Sequence, residues 1–273
     1  MKLTTWNIWG MILKNPLCYK NPIMAIQNTI NDIEKTRELQ VISIQECWVW
    51  RAGIFGWIPY NVLSALPNIV LVFMHIISLV FTNLFACKNY NPMDYVDTSK
   101  LNLHTYQNTS INTMNLMNSG LLMISNIEAD EDGFIEFTDQ IGLERLSSKG
   151  FQYIYYEDID TIVINTHMQS GDNIGVKRRQ IEQILSFLST LDVDSIYVNG
   201  DFNLNTNNII DKHTLDILKL EGLNGIEPTT LEGETFDHCL TNRISTYEYS
   251  ISKSDNISDH YKLVFSINND FVI

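Results

Sequence analysis

"YVNGDFNLNTNN", residues 197–208, begins as a buried strand and ends in a run of small and polar residues. Gly, Asn and Asp are common turn formers, so the stretch could simply close a strand. If the extended backbone continues, alternate side chains face the same side, and Asp201 and Asn203 point to one place while Phe202 points into the core. We interpret this strand end as a candidate site for a metal ion and a phosphate.

Polar residues stand at the edges of several other apolar strands. They are Asn7 in TTWNIWG, Glu46 in VISIQE, His167 in VINTH, Asp237 in TFDHC, and Asp259 and His260 in SDHYKLVF. Each residue alone would be ordinary, but an α/β fold collects its ligands at strand ends. Carboxylate and amide oxygens suit a hard cation such as Mg²⁺, and histidines suit proton transfer and phosphate stabilisation.

The order of strand and helix patterns predicts the fold class. Strand patterns include KLTTWNIW, QVISIQE, NSGLLMISN, DTIVINTH, SIYVNGD, TFDHCLTN and DHYKLVFSI. Helical periodicity marks NPIMAIQNTINDIEKTREL, VKRRQIEQILSFLSTL and the short HTLDILKLEG. Strands alternate with helices early and pair antiparallel late, which predicts an α/β sandwich of mixed sheets. No repeat or linker divides the chain, so we expect a single catalytic domain over residues 1–273.

The charge of the chain limits the classes of partner that it can bind, and its cysteine content indicates the cellular compartment. The chain carries 18 Lys and Arg against 32 Asp and Glu, a net charge of -14. That charge repels polyanions, so a nucleic-acid partner is less expected, although a local basic groove could coexist with it.

The four cysteines, at positions 18, 47, 87 and 239, lack metal-binding spacing and are interpreted as reduced thiols. MKLTTWNIWG lacks the apolar core of a signal peptide, so we expect an intracellular protein. No protein partner is inferable.

The segment PNIVLVFMHIISLVFTNLFACK, residues 67–88, is uncharged until its last residue. It is long enough to span a membrane. On a helix its polar residues fall within an arc of roughly 140°, with an apolar face opposite. Three interpretations stay open: a core helix, an interfacial helix or re-entrant hairpin, and a single span. A single span would separate Glu46 from Asp201 across the bilayer, so it conflicts with a shared site.

Taken in order, the motifs TWNIWG, IQE, NSGLLMIS, NTHMQS, NGDFN, FDH and SDH resemble those of the endonuclease/exonuclease/phosphatase superfamily. These are metal-dependent phosphodiesterases shaped like pancreatic deoxyribonuclease, and the resemblance runs from Lys2 to Ile267. It implies a four-layer α/β sandwich, in which two mostly antiparallel mixed β-sheets are flanked by helices and the site lies at one rim.

Two stretches resemble the neutral sphingomyelinase branch of this superfamily. THMQS is similar to the Thr-His-x-Gln of that branch, and GLERLSSKGF is similar to its Asp-x-Leu-Ala-x-Lys-Gly stretch. Glu144 and Ser147 replace the Asp and the Ala, and Asn126 stands where the superfamily often has Lys or Arg. The retained Lys149 is implied to contact the substrate phosphate, with a surface turn as the alternative.

The resemblance also implies a set of metal ligands. Glu46 is the central ligand with Asn7 beside it, and Asp201, Asn203 and Asp259 complete the cluster. The implied ion is Mg²⁺, with Mn²⁺ or another divalent cation as the alternative.

The resemblance gives the catalytic roles in the same way. His260 resembles the general base that takes a proton from the attacking water, and Asp237 resembles the carboxylate that orients it. His167, Asn203 and Asp201 complete the catalytic set, in which His167 and Asn203 stabilise charge on the phosphoryl oxygens.

The resulting expectation is a metal-dependent phosphodiesterase that hydrolyses sphingomyelin or a related phospholipid. Residues 67–88 would provide attachment to the phospholipid membrane surface. The alternatives are a Mg²⁺-dependent endonuclease of the same fold, an inositol-phosphate phosphatase, and a membrane-binding module without catalysis.

Overall fold

Two six-stranded β-sheets form the centre of the protein in the computed structural model. The structure describes residues 1–8, 22–33, 38–48, 91, 93, 96, 102–109, 117–225, 227–243, 246–252 and 258–268. The predicted helix at 67–88 lies outside these residues. Within the described part of the chain, no helix is both long enough and apolar enough to cross a membrane.

The first sheet, called sheet I, joins both ends of the chain. Its strands, in spatial order, are β11 (Thr246–Ser252), β12 (Lys262–Asn268), β1 (Lys2–Asn7), β2 (Gln40–Gln45), β4 (Leu122–Ser125) and β3 (His104–Tyr106). The pair β1 and β2 is parallel, and the other neighbours are antiparallel.

The second sheet, called sheet II, comes from the middle of the chain. Its strands, in spatial order, are β5 (Glu131–Glu136), β6 (Gly150–Tyr156), β7 (Thr161–His167), β8 (Ser195–Asp201), β10 (Asp237–Thr241) and β9 (Glu221–Gly222). The pair β7 and β8 is parallel, and the rest are antiparallel. Both sheets are therefore mixed and mostly antiparallel, as predicted.

Helices cover the outer faces of the two sheets. The α-helices are α1 (Pro22–Asn31), α2 (Ile174–Leu188) and α3 (Ile209–Leu215), and 3-10 turns cover Gly142–Leu146, Glu157–Ile159 and Asp216–Leu218. Ile26 of α1 shares a buried cluster with Ile42 of β2, and Ile181 of α2 shares another with Ile164 of β7.

A third buried cluster lies between the sheets. Leu3 and Phe265 of sheet I pack there with Val163 and Tyr197 of sheet II. Because successive strand residues face opposite sides, each sheet has one face in this inner cluster and one face under helices. The molecule thus has the predicted four layers, and the fold expected from the motifs is confirmed.

The two parallel pairs bring their polar ends to one rim of the sandwich. Asn7 lies opposite Gln45 at the ends of β1 and β2, and His167 lies opposite Asp201 at the ends of β7 and β8. Asp237 begins the antiparallel strand β10 and also lies opposite Asp201. The polar strand ends of both sheets are therefore neighbours.

The geometry after β8 corrects one sequence-based explanation. Strand β8 ends at Asp201, and Asn203 lies beyond it with a left-handed φ of 52°. Alternation along a strand therefore does not place Asn203, although Phe202 is fully buried as predicted.

Two predicted element boundaries also shift. The helix predicted from HTLDILKLEG begins earlier, at Ile209, because the side chain of Asn208 accepts hydrogen bonds from the first free N–H groups of the helix. It also ends earlier, at Leu215, and the predicted helical residues Glu221 and Gly222 form strand β9 instead. Asp259 and His260 precede strand β12, which begins at Lys262.

Gly200 occupies a position that tolerates no side chain, and this gives a first prediction. Its φ is 138°, and a Cβ there would lie 2.1 Å from the carbonyl oxygen of Thr166. We expect Gly200→Ala to lower the free energy of unfolding by about 2 kcal/mol or more, measured by urea unfolding. Gly222→Ala is the control, since its Cβ would meet only Leu240 Cδ2 at 3.7 Å. Equal stability of the two variants would contradict this account of β8.

Candidate active site

One amide and two carboxylates meet at the rim from the two sheets. Asn7 Nδ2 donates to Glu46 Oε1 at 3.2 Å and to Asp201 Oδ2 at 3.0 Å. Asn7 and Asp201 are almost completely buried. Residues that are 194 positions apart are thus joined directly, as the strand-end pattern predicted.

The backbone at Glu46 departs from the strand that precedes it. Its φ is 62°, an uncommon value for a residue other than glycine, and one that is concentrated at functional sites. Burial raises the pKa of Glu46, and the hydrogen bond from Asn7 and the charge of Lys149 oppose this. The indole of Trp48 lies 3.5 Å from the other carboxylate oxygen.

The donor set at this point fits a divalent cation. The partly buried carboxylate of Glu46 and the buried carboxylate of Asp201 converge on one amide. The amide can offer its oxygen instead of its nitrogen after rotation of the side chain. Hard cations take such oxygen ligands, and unpaired buried carboxylates are costly without a positive partner. Glu46, Asp201 and Asn7 are therefore the residues best placed to hold a metal ion.

His260 is fixed beside this group by a buried carboxylate. Its Nδ1 lies 2.8 Å from Asp237 Oδ2, and its Nε2 lies 3.9 Å from Asp201 Oδ2. Burial would lower the pKa of His260, but the facing carboxylates of Asp237, Asp201 and Asp259 outweigh it and raise the pKa to about 10. The predicted base and its orienting carboxylate are thus in contact.

A second set of potential ligands overlaps this pair. Atoms of Asp201, Asp237 and His260 lie within 4.8 Å of one another. The short contact between His260 and Asp237 already uses one nitrogen and one oxygen of that set. Glu46, Asp201 and Asn7 therefore form the candidate cation site whose oxygens are less committed to other contacts.

Two residues that the sequence reasoning missed hold His260 in place. Ser258 Oγ donates to the carbonyl of Asn7 at 2.6 Å and accepts from the N–H of His260 at 3.1 Å. Trp6 Nε1 donates to the carbonyl of His260 at 3.1 Å. Both residues adjoin predicted site residues in sequence, and a hydroxyl or indole next to a strand end was the available signal.

His167 lies on the other side of Asp201 and is paired with a buried lysine. Its Nε2 is 3.6 Å from Asp201 Oδ2, 3.9 Å from Glu46 Oε1 and 3.1 Å from Lys149 Nζ. Burial, followed by the charge of Lys149, lowers the pKa of His167 to about 3. A neutral His167 accepts a hydrogen bond at Nε2 from the ammonium group of Lys149.

Lys149 belongs to the site but is not a surface residue. Its Nζ donates to Glu144 Oε1 at 2.9 Å and to the carbonyl of Met168 at 2.8 Å, besides its contact with His167. The alternative of a surface turn at this lysine is thus wrong, since Lys149 and Gly150 are both buried. A phosphate contact by Lys149 remains a prediction. It requires the ammonium group to give up one of these three hydrogen bonds and to donate to a phosphate oxygen instead.

Asn203 is held by three surrounding groups. Its N–H donates to Asp201 Oδ1 at 2.8 Å, its Nδ2 donates to the carbonyl of Met168 at 3.2 Å, and its own carbonyl accepts from Lys177. Lys177 is a buried cation that the sequence reasoning did not identify. These contacts place Asn203 beside the cluster, and its role as a metal ligand remains a prediction.

Asp259 is a partly buried residue that directly precedes His260. Its Oδ1 lies 3.3 Å from Ser258 Oγ, whose proton is directed to the carbonyl of Asn7, and burial raises the pKa of Asp259. The structure places it beside His260, and ligation of a metal by Asp259 also remains a prediction.

The fold is shared with several solved structures. A sphingomyelinase C from Streptomyces griseocarneus aligns with a TM-score of 0.63 and 14% identity, over 98% of this chain and 99% of its own. A mutant beta toxin from Staphylococcus aureus with bound magnesium ions aligns with a TM-score of 0.66 and 15% identity, over 98% and 99%. An endonuclease/exonuclease/phosphatase family protein from Leptotrichia buccalis gives 0.64 and 17%, over 98% and 100%. No protein-family model matches the sequence, and no curated protein matches it. At these identities the likeness shows the fold.

The buried, neutral state of His167 gives a prediction about acid stability. The unfolded chain titrates this group near 6.5 and the folded chain near 3, so only the unfolded chain binds its proton between these values. Stability is therefore lost as the pH falls from 6.5 toward 3, and His167→Gln should lose less over that interval.

The measurement is the free energy of unfolding against pH, in EDTA. His213→Gln, which changes an exposed histidine on α3, is the control and should keep the wild-type slope. An identical slope for His167→Gln and wild type would contradict a neutral buried His167.

Proposed function

We propose that the protein is a divalent-metal-dependent phosphodiesterase that cleaves a phospholipid headgroup, most directly that of sphingomyelin. The observation that carries the proposal is the bonding of Asn7 to both Glu46 and Asp201 beside the His260–Asp237 pair. A metal site, a base and its orienting carboxylate thus share one rim. These are the groups that in-line attack of water on a phosphodiester requires.

The metal would be held by Glu46, Asp201 and Asn7, with Asn203 and Asp259 as further candidate ligands. When bound, Mg²⁺ supplies positive charge that stabilises developing negative charge on phosphoryl oxygens. The buried position of these ligands strengthens that effect, because water screens charges less effectively inside a protein.

His260 is proposed as the base that takes a proton from the attacking water. Asp237 holds Nδ1, which leaves Nε2 on the side that faces Asp201 and the rim. A base must be neutral to accept a proton, whereas the surrounding carboxylates keep His260 protonated. Pairing of Asp201 with a cation would remove part of that attraction and lower the pKa of His260 toward the working range.

His167 and Lys149 are proposed to stabilise the phosphoryl group. Their contact brings an ammonium group to the side of Asp201 opposite His260. Rotation of Lys149 away from Glu144 would direct a proton toward a phosphate oxygen, and such donors contribute most when charge develops in the transition state.

Two features support a phospholipid over a nucleic acid. The THMQS and GLERLSSKGF stretches resemble the neutral sphingomyelinase branch, and a net charge of -14 repels a polyanion. A panel assay would compare Mg²⁺-dependent hydrolysis of sphingomyelin, phosphatidylcholine and supercoiled plasmid. Hydrolysis of the plasmid alone would favour the endonuclease alternative.

Removal of one charge from the metal ligands should abolish most of the activity. Glu46→Gln preserves the shape of the side chain and removes a carboxylate from the proposed cation site. We expect hydrolysis to fall by about 100-fold or more, as when one electrostatic stabiliser is removed from an active site. The measurement is the initial rate at saturating Mg²⁺.

The matched control is Glu157→Gln, at an exposed carboxylate in a 3-10 turn before β7, away from the rim. It should retain the wild-type rate. Wild-type activity of Glu46→Gln would exclude Glu46 as the central ligand.

Attachment to a bilayer is proposed for the apolar segment at 67–88. The proposal rests on its sequence, in which one helical face is wholly apolar and larger than soluble monomers usually expose. We expect replacement of Phe73, Ile77 and Leu84 by Ser to reduce liposome binding and hydrolysis of bilayer substrate. Hydrolysis of a short soluble phosphodiester should persist.

A core helix would respond differently to the same triple change. Loss of large buried side chains costs on the order of 2 kcal/mol or more each. Parallel loss of soluble-substrate activity and melting temperature would therefore reject the membrane role of this segment.

A further inference from the structure

Below the rim, polar side chains of both sheets meet inside the apolar interface between them. Gln45 Nε2, on sheet I, donates to Asn165 Oδ1, on sheet II, at 2.6 Å. The same nitrogen lies 3.1 Å from the hydroxyl of Thr5 on the neighbouring strand. All three residues are fully buried. Buried polar groups are kept where they are hydrogen-bonded, so this pair is a built feature of the interface.

Asn165 also bonds to the backbone of the opposite sheet. Its Nδ2 donates to the carbonyl of Ile44 at 3.0 Å and lies 3.3 Å from the carbonyl of Leu122. Ile44 and Leu122 are register partners in β2 and β4. One side chain of sheet II therefore contacts two adjacent strands of sheet I. We call the Gln45–Asn165 pair the cross-sheet clamp.

The clamp adjoins the rim cluster: Gln45 lies at the level of Asn7 in the register of β1 and β2, and Asn165 lies two positions below His167 on β7. Its members and Thr5 each precede a site residue on the same strand or at its end: Thr5 before Asn7, Gln45 before Glu46, and Asn165 before His167. A separation of two residues along a strand is about 7 Å. Thr5 and Asn165 thus lie about 7 Å below the site residues of their strands, and Gln45 lies directly beside Glu46.

The rim cluster has a constraint that apolar packing alone does not meet. Glu46 and Asn7 come from sheet I, whereas Asp201 and His167 come from sheet II. Burial of apolar surface is non-directional, so it does not fix how one sheet is placed over the other. Hydrogen bonds have preferred distances and angles, and a bond between the sheets fixes their relative position at that level.

We propose that Gln45 and Asn165 are positioning residues that set the distance between Glu46 and the sheet II half of the site, and thereby set the affinity for a divalent cation. This inference rests on the proposed function for the cation site itself. It concerns residues that do not touch the ion and act through the strands that carry its ligands.

The same layer contains two residues that serve as controls. Asn199 lies beside Asn165 in register on β8, and Ser43 precedes Gln45 by two positions on β2. Both are fully buried, and within the described residues the side-chain polar atoms of both lack a hydrogen-bond partner. They match the clamp in depth and polarity but do not join the sheets.

The test is calorimetric titration with MgCl₂, which needs no substrate. We expect Gln45→Met and Asn165→Leu to weaken Mg²⁺ binding by about tenfold or more, as observed when residues that orient metal ligands are changed. Ser43→Ala and Asn199→Leu should bind as the wild type does. Asn165→Leu also removes the bonds to Ile44 and Leu122, so it should weaken binding at least as much as Gln45→Met. The double clamp variant should be weakened by less than the sum of the two single effects, because both changes remove the shared Gln45–Asn165 bond.

Circular dichroism and melting temperature without Mg²⁺ report folding separately. Gln45→Met conserves the length and flexibility of the side chain, so this variant is expected to fold. It can therefore still be titrated if Asn165→Leu does not fold. Wild-type Mg²⁺ affinity in folded Gln45→Met would overturn the inference, as would an equal weakening in the two controls. Absence of Mg²⁺ binding in the wild type would instead overturn the proposed function.

Discussion

The contact of Asn7 with both Glu46 and Asp201 is the interaction on which the candidate site depends. It joins the end of a strand in sheet I to the end of a strand in sheet II, across the mouth of the sandwich. The parallel pairs β1–β2 and β7–β8 direct their carboxyl ends to this mouth. A single chain with a different order of strands would place the same residues at opposite edges. The topology therefore creates the site, and the side chains supply its chemistry.

The negative charges at the rim destabilise the folded chain when no cation is bound. Asp201 and Asp237 are almost completely buried and Glu46 is partly buried, and each buried carboxylate is costly unless it is paired. His260 and Lys149 supply part of the opposing charge, and Asn7 supplies only a dipole. A site that retains excess negative charge in a buried place is suited to bind a cation, which would stabilise the folded chain through its binding energy. Glu46 and Asn203 both have positive φ. This backbone strain also costs stability, and such strain is concentrated at functional sites.

Much of the architecture could be predicted from sequence because its strands end in chemically distinctive residues. The strands that end at Asn7, His167 and Asp201 were predicted from their residue patterns. The pairing of His260 with Asp237 was implied by the resemblance to the superfamily. Sequence periodicity did not identify the strands β3, β5, β6, β9 and β11. Asn203 was explained by strand alternation, but its placement depends on a left-handed backbone that Lys177 and Met168 support. Asn126 departs from the superfamily pattern, and its side chain bridges the N–H of Gln40 and the carbonyl of Glu38 at the start of β2. Such tertiary contacts carry no local sequence signal.

The most direct test of the account is a crystal structure with Mn²⁺, located by its anomalous scattering. The account predicts an ion bound by Glu46 and Asp201, with the amide oxygen of Asn7 turned toward it and the His260–Asp237 contact intact. An ion coordinated by His260 and Asp237, or a rim that binds no Mn²⁺, would contradict it.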